Sequence, residues 1–172
     1  TPGFEGPAQP SGLMPEYDSA TGTWTAPFVM APINTKNVHR SNFLLGHPYG
    51  RDFVYDEMMM TTIGDAGRAM AEAIAKANPF GDAKILPGDG PSKEERENGF
   101  YDVLFIGEYP DGTSVRVSVS GDKDPGYGST SKMISESALT LLETDTPGGV
   151  TTPGAVMAAP LLTRLEKNAG LT

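Results

Sequence analysis

Hydrophobic and polar residues alternate most regularly in two neighbouring segments, residues 100–109 and 113–120. In the second segment a valine stands at every odd position from 115 to 119, and polar residues stand between them. Asp111-Gly112 lies between the two segments, and this dipeptide is typical of a tight turn, so the pattern predicts a β-hairpin. Because the first segment is apolar on both faces, we expect it to lie inside a sheet.

Helical spacing, cap residues and glycine or proline breaks predict the remaining elements. Ser92 and Glu95 form a capping box at the start of a short helix. We expect Pro79 to end the helix before it, residues 80–91 to form a loop, and Pro160 to kink the last helix or mark its true start. The predicted elements are strands over 24–33 and 52–60 and helices over 34–45, 65–78, 92–99, 129–143 and 154–168.

Apolar residues at helical spacing define the helix sides that we expect to face the core. The order of the elements predicts an α+β fold, with a mixed or mostly antiparallel sheet and helices packed on one face. Residues 1–23 are rich in Pro, Gly, Ser and Thr and predict an extended arm or connector, followed by one domain over residues 24–172. The expected inward positions are Ile134, Ala138, Leu141 and Leu142 in one helix and Leu161, Leu162 and Leu165 in the last.

Composition narrows the classes of function. The 172 residues are enough for one domain with a sizeable core, and the formal net charge is -9, from 22 acidic and 13 basic residues. This charge argues against nucleic acid or an anionic membrane surface as a partner. The lack of cysteine excludes thiolate chemistry and fits a reducing compartment. No apolar run reaches the ~18 residues of a membrane helix, no signal peptide is recognisable and both ends look cut, so we expect a cytoplasmic piece of a longer protein.

The segment Gly121–Lys132 joins the hairpin to the helix that follows. We expect its three glycines to allow positive φ and close backbone approach, with Ser129 or Thr130 as the helix N-cap. A glycine-rich turn into a helix N-terminus presents N–H groups and a positive dipole end, to which Lys123 and Lys132 could add charge. This predicts a place for an anion, a phosphate or a polarised carbonyl. The alternative is a plain turn with an acidic rim, because no known nucleotide motif is present.

A second cluster joins residue types that exchange protons with residue types that bind anions. His39 and Arg40 fall on the first predicted helix, and His47, Tyr49 and Arg51 follow it in a loop. Histidine can protonate or polarise a substrate near neutral pH, and arginine can bind a carboxylate or phosphate through two parallel hydrogen bonds. The alternative is a solvated helix face followed by an ordinary turn.

Tests of the residues against metal and nucleophile patterns fail. Asp122 and Asp124 invite a calcium loop, but Tyr127 and Met133 occupy the positions where such a loop needs glycine and glutamate. No HExxH zinc motif and no Gly-x-Ser-x-Gly elbow occurs. A hydrolase or a metalloenzyme therefore has little support, we expect no metal, and the residue chemistry alone identifies no reaction.

Two blocks of sequence carry a family resemblance. One runs from Trp24 to Phe53 and includes Asn34-Thr-Lys-Asn-Val-His-Arg-Ser-Asn42; the other runs from Phe100 to Leu139 and includes the Gly121–Lys132 turn. Together they resemble the saccharopine dehydrogenase-like oxidoreductases, and most of all the bacterial branch that includes the trans-acting enoyl reductases of lipid biosynthesis. The resemblance covers the chain from about residue 19 onward.

The resemblance implies a two-domain enzyme. An N-terminal Rossmann domain would bind NAD(P), and a second α+β domain would bind a small-molecule or acyl substrate and form a homodimer. This chain resembles the second domain, and it lacks the dinucleotide fingerprint. We therefore expect its partner to be the missing Rossmann domain, and we expect the chain alone to bind no cofactor and to turn over no substrate. The alternative is a non-catalytic interaction or dimerisation module.

The resemblance also implies roles for residues of the two clusters, with the Gly121–Lys132 turn lining the cleft between the domains. The second domain has to position the acceptor carbon and give a proton or a hydrogen bond to the anion that develops. The candidate catalytic residues are Tyr127, Lys123 and His39, the candidate substrate-binding residues are Arg40, Tyr49, Arg51 and Lys132, and the candidate cofactor-binding residues are Gly126, Gly128 and Ser129.

Overall fold

A computed structural model describes residues 3–77 and 90–172. The chain divides into two compact units, Thr1–Lys84 (unit 1) and Ile85–Thr172 (unit 2), which are described separately below. The predicted helix end at Pro79 and most of the predicted loop over 80–91 lie outside the described residues. The division into an arm over 1–23 and one domain over 24–172 stays a prediction.

Unit 1 contains the elements β1 (Glu16–Asp18), β2 (Thr23–Pro27), α1 (Ala31–Leu44), β3 (Met58–Met60) and α2 (Gly64–Lys76). The strands form a small antiparallel sheet in the order β1-β2-β3. Helix α2 packs on β2, where Ala26 of the strand and Ala71 of the helix have no exposed surface. The helix also packs closely at Gly67, where a Cβ atom would lie 1.7 Å from the carbonyl oxygen of Thr62, just after β3.

Two strands of unit 1 are shorter than the sequence predicts. The strand expected over 24–33 ends at Pro27, because Pro32 lies in the first turn of α1, where its missing N–H is no loss. The strand expected over 52–60 is confined to Met58–Met60, the part that pairs with β2. Helix α1 accordingly begins at Ala31, earlier than the predicted start at residue 34. Strand β1 lies within the segment predicted to be an arm.

Unit 2 is built on the predicted hairpin, which is confirmed. Phe105 lies opposite Val117, and Gly112 has a φ of 84° at the turn, a value that only glycine adopts freely. Among the residues that the structure describes, the first strand pairs with its hairpin partner alone and is therefore not inside a sheet as expected. The elements are α3 (Lys93–Asn98), β4 (Tyr101–Glu108), β5 (Ser114–Gly121), α4 (Gly128–Glu143), α5 (Pro153–Val156) and α6 (Ala158–Asn168).

The predicted capping box and the predicted break at Pro160 in unit 2 are confirmed. The Ser92 hydroxyl accepts the Glu95 N–H at 3.2 Å, and the Glu95 carboxylate accepts the Ser92 N–H at 2.7 Å, which completes the capping box. The last helical segment breaks before α6, and Pro160 lies in the first turn of α6. Gly170 follows the end of α6 with a φ of 72°, the left-handed conformation that commonly ends a helix.

The predicted inward side of α4 is wrong. Ala138 and Leu141 are exposed, and Ile134 and Leu142 are 68% and 84% exposed, whereas Ser129 and Thr140 are buried. The Thr140 hydroxyl donates to the Glu136 carbonyl at 2.7 Å, so the helix itself satisfies this buried polar group. On α6, Leu161 is buried and Leu165 half-buried as expected, but Leu162 is 55% exposed.

The side of α4 around Glu136 packs against α6 through an ion pair. Arg164 contacts Glu136 at 2.8 Å and Glu143 at 3.0 Å, and Asn168 donates to Glu136 at 3.1 Å. Helices and small antiparallel sheets together confirm the predicted α+β class, with the strands divided between two sheets. Within residues 3–77 and 90–172, no helix combines the length and the apolar character needed to cross a membrane.

Candidate functional site

The predicted site residues divide between the two units. His39, Arg40, Tyr49 and Arg51 belong to unit 1, and those of the Gly121–Lys132 turn belong to unit 2. The two groups have different surroundings. Within the described parts of the chain, no three His, Asp or Glu side chains are placed to bind a metal ion together.

Asp124 satisfies the N–H groups of the turn in unit 2. Its carboxylate accepts from the N–H of Gly126 and of Tyr127, each at 3.0 Å, and from the N–H of Gly128. Its backbone carbonyl accepts the N–H of Ser129 at 2.8 Å. The prediction of Ser129 or Thr130 as the N-cap is therefore wrong: Tyr127 has the cap position, and the Asp124 carboxylate does the capping.

The glycines of the turn allow neighbouring groups to pack closely against the backbone, and none of them is needed for a positive φ. None of Gly121, Gly126 and Gly128 has a positive φ. A Cβ atom at Gly128 would lie 2.8 Å from the carbonyl oxygen of Arg96, and one at Gly121 would lie 2.3 Å from the ring of Tyr101. The expected close approach is therefore confirmed at these two positions, and the expected positive φ is wrong.

The other residues of the turn are partly committed to contacts within unit 2. The hydroxyl of Ser129, which is fully buried, lies 2.9 Å from the Tyr101 hydroxyl. The Lys123 ammonium donates to the Glu97 carbonyl at 3.3 Å. Tyr127 is 54% exposed, and Lys132 is half-buried on α4.

This arrangement does not fit a dinucleotide phosphate at the turn. The N–H groups of Gly126 and Gly128 that would bind the phosphate already bind the Asp124 carboxylate, which would also repel a second anion. The hydroxyl of Ser129 is turned to Tyr101. The contacts of this turn therefore fit the alternative of a plain turn with an acidic rim better than they fit an anion-binding site.

A glutamine of the N-terminal segment makes the central contacts of the site in unit 1. The Gln9 side-chain oxygen accepts the Tyr55 N–H at 3.1 Å and lies 3.1 Å from His39 Nε2. The Gln9 side-chain nitrogen donates to the Phe53 carbonyl at 3.1 Å and to the Pro7 carbonyl at 3.3 Å. Since a carboxamide oxygen only accepts hydrogen bonds, the His39 nitrogen that faces it has to carry the hydrogen and donate.

Aromatic rings surround this contact. The Phe53 ring lies 5.5 Å from the His39 ring, 5.3 Å from the Tyr49 ring and 5.9 Å from the Tyr55 ring, measured between centroids. The Tyr55 hydroxyl donates to Glu57 at 3.0 Å. Burial, and then the charge of the Glu57 carboxylate, raise the pKa of the Tyr55 phenol above its ordinary value, so the phenol stays protonated.

Asn42 fixes the loop that carries Tyr49 and Arg51. Its side chain is buried, donates to the Gly50 carbonyl at 2.9 Å and accepts the Tyr49 N–H at 3.0 Å. His47 has a φ of 66°, which is rare for a residue other than glycine. The buried side-chain amide of Asn42 thus fixes the conformation of this loop, a role that the sequence did not indicate.

Arg40 and Arg51 each lie over a phenylalanine ring, and each of these rings contacts His47. The guanidinium carbon of Arg51 is 5.1 Å from the centre of the Phe4 ring, and that of Arg40 is 5.9 Å from the Phe43 ring. His47 stacks on Phe4 at 5.2 Å and meets Phe43 edge-on at 5.8 Å. Unit 1 thus brings His39 and Tyr49 together around Phe53, whereas Arg40 and Arg51 each lie over a different phenylalanine that contacts His47.

Sequence reasoning missed Gln9 and the backbone of Phe53 and Tyr55. Gln9 fell in the segment predicted to be an arm, and a neutral amide gives no signal in a search for acids, bases and nucleophiles. Backbone groups give no residue-type signal at all. Only contacts that span 30 and 46 positions of the chain reveal this site.

Comparison with known proteins finds relatives but no solved structure and no family model that matches. A Mycobacterium tuberculosis protein named "Putative trans-acting enoyl reductase" is 37% identical over an alignment of 174 positions, which covers 89% of this chain and 41% of the relative. Proteins named trans-acting enoyl reductase from Mycobacterium bovis and Mycobacterium ulcerans are each 34% identical, over 89% and 90% of this chain.

The chain spans 41% of the length of these curated relatives. It is therefore similar to a part of enoyl reductase-like proteins that are considerably longer. This confirms the resemblance to the trans-acting enoyl reductases, while the placement among saccharopine dehydrogenase-like oxidoreductases stays a prediction.

Proposed function

We propose that this chain is the substrate-binding and dimerisation part of an NAD(P)-dependent, saccharopine dehydrogenase-like oxidoreductase that reduces the double bond of an enoyl thioester. The observation that carries the proposal is the 37% identity that extends over 89% of this chain but over only 41% of a relative with that name. Such coverage is what one domain of a larger reductase would give.

The cofactor phosphates would be bound by a Rossmann domain in the remainder of the protein. The Gly121–Lys132 turn supports this division, because Asp124 already takes the N–H groups that a phosphate would use. When bound, the dinucleotide would supply the hydride for reduction.

The residues of this chain would bind and orient the acyl substrate and give hydrogen bonds to its oxygen. His39 is half-buried against Phe53, and its Nε2–H faces a carboxamide oxygen, which supports a role as a hydrogen-bond donor to a bound ligand. Tyr127 and Lys123 remain candidate proton donors in unit 2. Arg40, Tyr49, Arg51 and Lys132 remain candidate contacts for the substrate.

The complete protein, made from the whole gene that encodes this chain, provides the test. We expect it to bind NADPH or NADH in a calorimetric titration and to consume the reduced cofactor when crotonyl-pantetheine is added. The saturated butyryl-pantetheine is the matched control and should give no consumption. A complete protein that binds neither dinucleotide would overturn the proposal.

Dimerisation is proposed through the exposed hairpin face of unit 2. Val103, Phe105 and Val117 share this face and are 41%, 44% and 53% exposed, which leaves an apolar surface for a second copy to cover. Sedimentation of the 172-residue chain should show a dimer, and the Val117→Lys variant should shift it to monomer. A strictly monomeric wild-type chain at high concentration would contradict this part of the proposal.

The exposed apolar residues also favour a second candidate, a non-catalytic interaction module. The α4 side that carries Ile134 and Leu142 is uncovered within the described part of unit 2, as an association surface would be. A complete protein with a stable dimer but no affinity for dinucleotides or acyl-pantetheines would favour the module over the reductase.

A further inference from the structure

The body of unit 1 contacts the oxygen and the nitrogen of the Gln9 carboxamide, while the Pro7 carbonyl of the same N-terminal segment also accepts from this nitrogen. Two donors, His39 Nε2–H and the Tyr55 N–H, converge on the carboxamide oxygen at 3.1 Å each. One acceptor, the Phe53 carbonyl, accepts a hydrogen bond from the Gln9 side-chain nitrogen at 3.1 Å. We call these three groups, from His39, Phe53 and Tyr55, the carboxamide site.

The carboxamide site belongs to the body of unit 1, whereas its occupant comes from the N-terminal segment. His39 lies on α1, and its ring is fixed edge-on against Phe53. Gln9 is exposed and lies in a segment without helix or strand from residue 4 to residue 13. A side chain on such a segment can leave the site without disturbing an element of regular structure.

Rings beside the site suit a planar aromatic ligand. The Tyr49 ring is next to Phe53, and Tyr49 is 55% exposed. The Tyr55 ring also contacts Phe53, in a stacked arrangement. Aromatic rings pack favourably in offset-stacked or edge-on pairs, so a ring that bears the carboxamide would gain contact area there. The surroundings of the carboxamide site are neutral at Phe53 and Tyr49 and do not repel a nicotinamide ring.

We propose that the carboxamide site binds the nicotinamide carboxamide of the dinucleotide, and that Gln9 occupies this position when the ligand is absent. The inference rests on the proposed function, because it is the NAD(P) dependence proposed there that brings a nicotinamide to this chain. The carboxamide of nicotinamide has the same oxygen and NH₂ group as the Gln9 side chain. The chain would thus orient the reactive ring of the cofactor, while the phosphates are bound elsewhere in the complete protein.

Free nicotinamide and the 172-residue chain provide a test that needs no turnover. The chain has two histidines, so the ring signals of His39 and His47 can be followed separately by NMR. We expect nicotinamide to shift the His39 ring and Tyr55 amide signals and to leave the His47 ring signal unchanged. Methyl nicotinate keeps the ring and the carbonyl oxygen but lacks the NH₂ group, and it should bind about threefold to tenfold more weakly.

Variants separate displacement of Gln9 from binding at another place. Gln9→Ala removes the internal occupant and should tighten nicotinamide binding by about fivefold. His39→Phe keeps a ring against Phe53 but removes the donor, and in the Gln9→Ala background it should weaken binding about threefold to tenfold. Ser11→Ala, elsewhere in the same segment, is the matched control and should bind like the wild type.

Two results would overturn the inference: nicotinamide that leaves the His39 and Tyr55 signals unchanged, or a folded Gln9→Ala variant that binds it no more tightly than the wild type. A purely structural role for Gln9 predicts the second result, with a lower melting temperature. Failure of the complete protein to reduce crotonyl-pantetheine, together with nicotinamide binding at His39, would reject the proposed function and keep the carboxamide site. Benzamide has the same carboxamide on a ring of the same size, so the three contacts predict that it shifts the same signals, and benzamide that leaves them unchanged would contradict recognition of the carboxamide.

Discussion

The Gly121–Lys132 turn and the carboxamide site both satisfy their hydrogen-bond donors within the chain, but with partners of different origin. In the turn, the Asp124 carboxylate accepts N–H groups two to four positions away. In the carboxamide site, Gln9 binds His39 and Tyr55 from 30 and 46 positions away. A local cap leaves only if the helix start unfolds, whereas a distant side chain leaves when its segment moves.

This difference teaches which donor sets are available to a ligand. The residue types of the turn and of the His39 cluster each gave a reason to expect a site for an anion or a carbonyl group. The two sites differ in the charge of the internal partner and in its distance along the sequence. The turn has a charged partner nearby, Asp124, whereas the carboxamide site has a neutral partner far along the chain, Gln9. The following variants test this contrast, from the largest expected effect to the smallest.

Gly128→Ala should have the largest effect on stability. The new Cβ atom would lie 2.8 Å from the Arg96 carbonyl oxygen and from the Asp124 carboxylate, so the cap has to shift, at a cost of about 2 kcal/mol in the free energy of unfolding. Gly126→Ala is the matched control, because its Cβ would meet only the Asp124 carboxylate, at 3.3 Å. Urea unfolding measures both, and equal stabilities would contradict the close packing at Gly128.

Asp124→Ala should lower the free energy of unfolding by about 1–2 kcal/mol, because it removes the cap of α4. Asp124→Asn keeps one oxygen acceptor and should lose less. The same pair also tests the phosphate argument, since Asp124→Ala frees the N–H groups. If phosphate stabilises the alanine variant against heat more than it stabilises the wild type, the occupied donors were what excluded the anion.

Gln9→Ala should change the unfolding free energy by about 0.5 kcal/mol, less than Asp124→Ala, because its hydrogen bonds are exposed to water. Thermal unfolding of the two variants under one condition checks the order. A larger loss at Gln9 than at Asp124 would show that the N-terminal segment is an integral part of unit 1, and the contrast between the two regions would then fail.

The Glu136 contacts between α4 and α6 should give the smallest effect of the four at neutral pH, and this effect should disappear in acid. Hydrogen bonds from Asn168, and then from Arg164, lower the pKa of Glu136 below its ordinary value of 4.5. Its contribution to stability is therefore complete above this value and is lost as the pH falls below it. Melting temperatures of wild type and Glu136→Gln should converge in acid, and a constant difference at all pH values would contradict the prediction.

Local signals in the sequence predicted the parts of the fold that are determined locally. Asp111-Gly112 indicated the hairpin, and Ser92 with Glu95 indicated the capping box, because each pattern contains its own partner groups. Pro32 misled the strand prediction, since a proline that interrupts a strand also suits the first turn of a helix. The α+β class followed from these elements without knowledge of how many sheets they form.

The side of α4 that packs inward could not be predicted from periodicity. Ile134 and Leu142 give the stronger apolar signal, but Thr140 is the residue that is buried, and its hydroxyl tolerates burial because it bonds to a carbonyl of its own helix. A sequence does not tell which of two sides has a neighbour within the chain. For the site, the sequence pointed to His39 and Tyr49 by residue type, but it had no signal for Gln9 or for the Tyr55 N–H.

The attachment of Gln9 to the same chain has a practical consequence for ligand screening. A tethered group acts at an effective concentration on the order of millimolar, whatever the dilution of the protein. A fragment would therefore bind the intact chain more weakly by the same factor at every protein concentration, and a screen of the intact chain would miss the fragments whose affinity is already close to the detection limit. Proteolytic trimming of the first dozen residues, instead of dilution, is the step that would reveal such fragments.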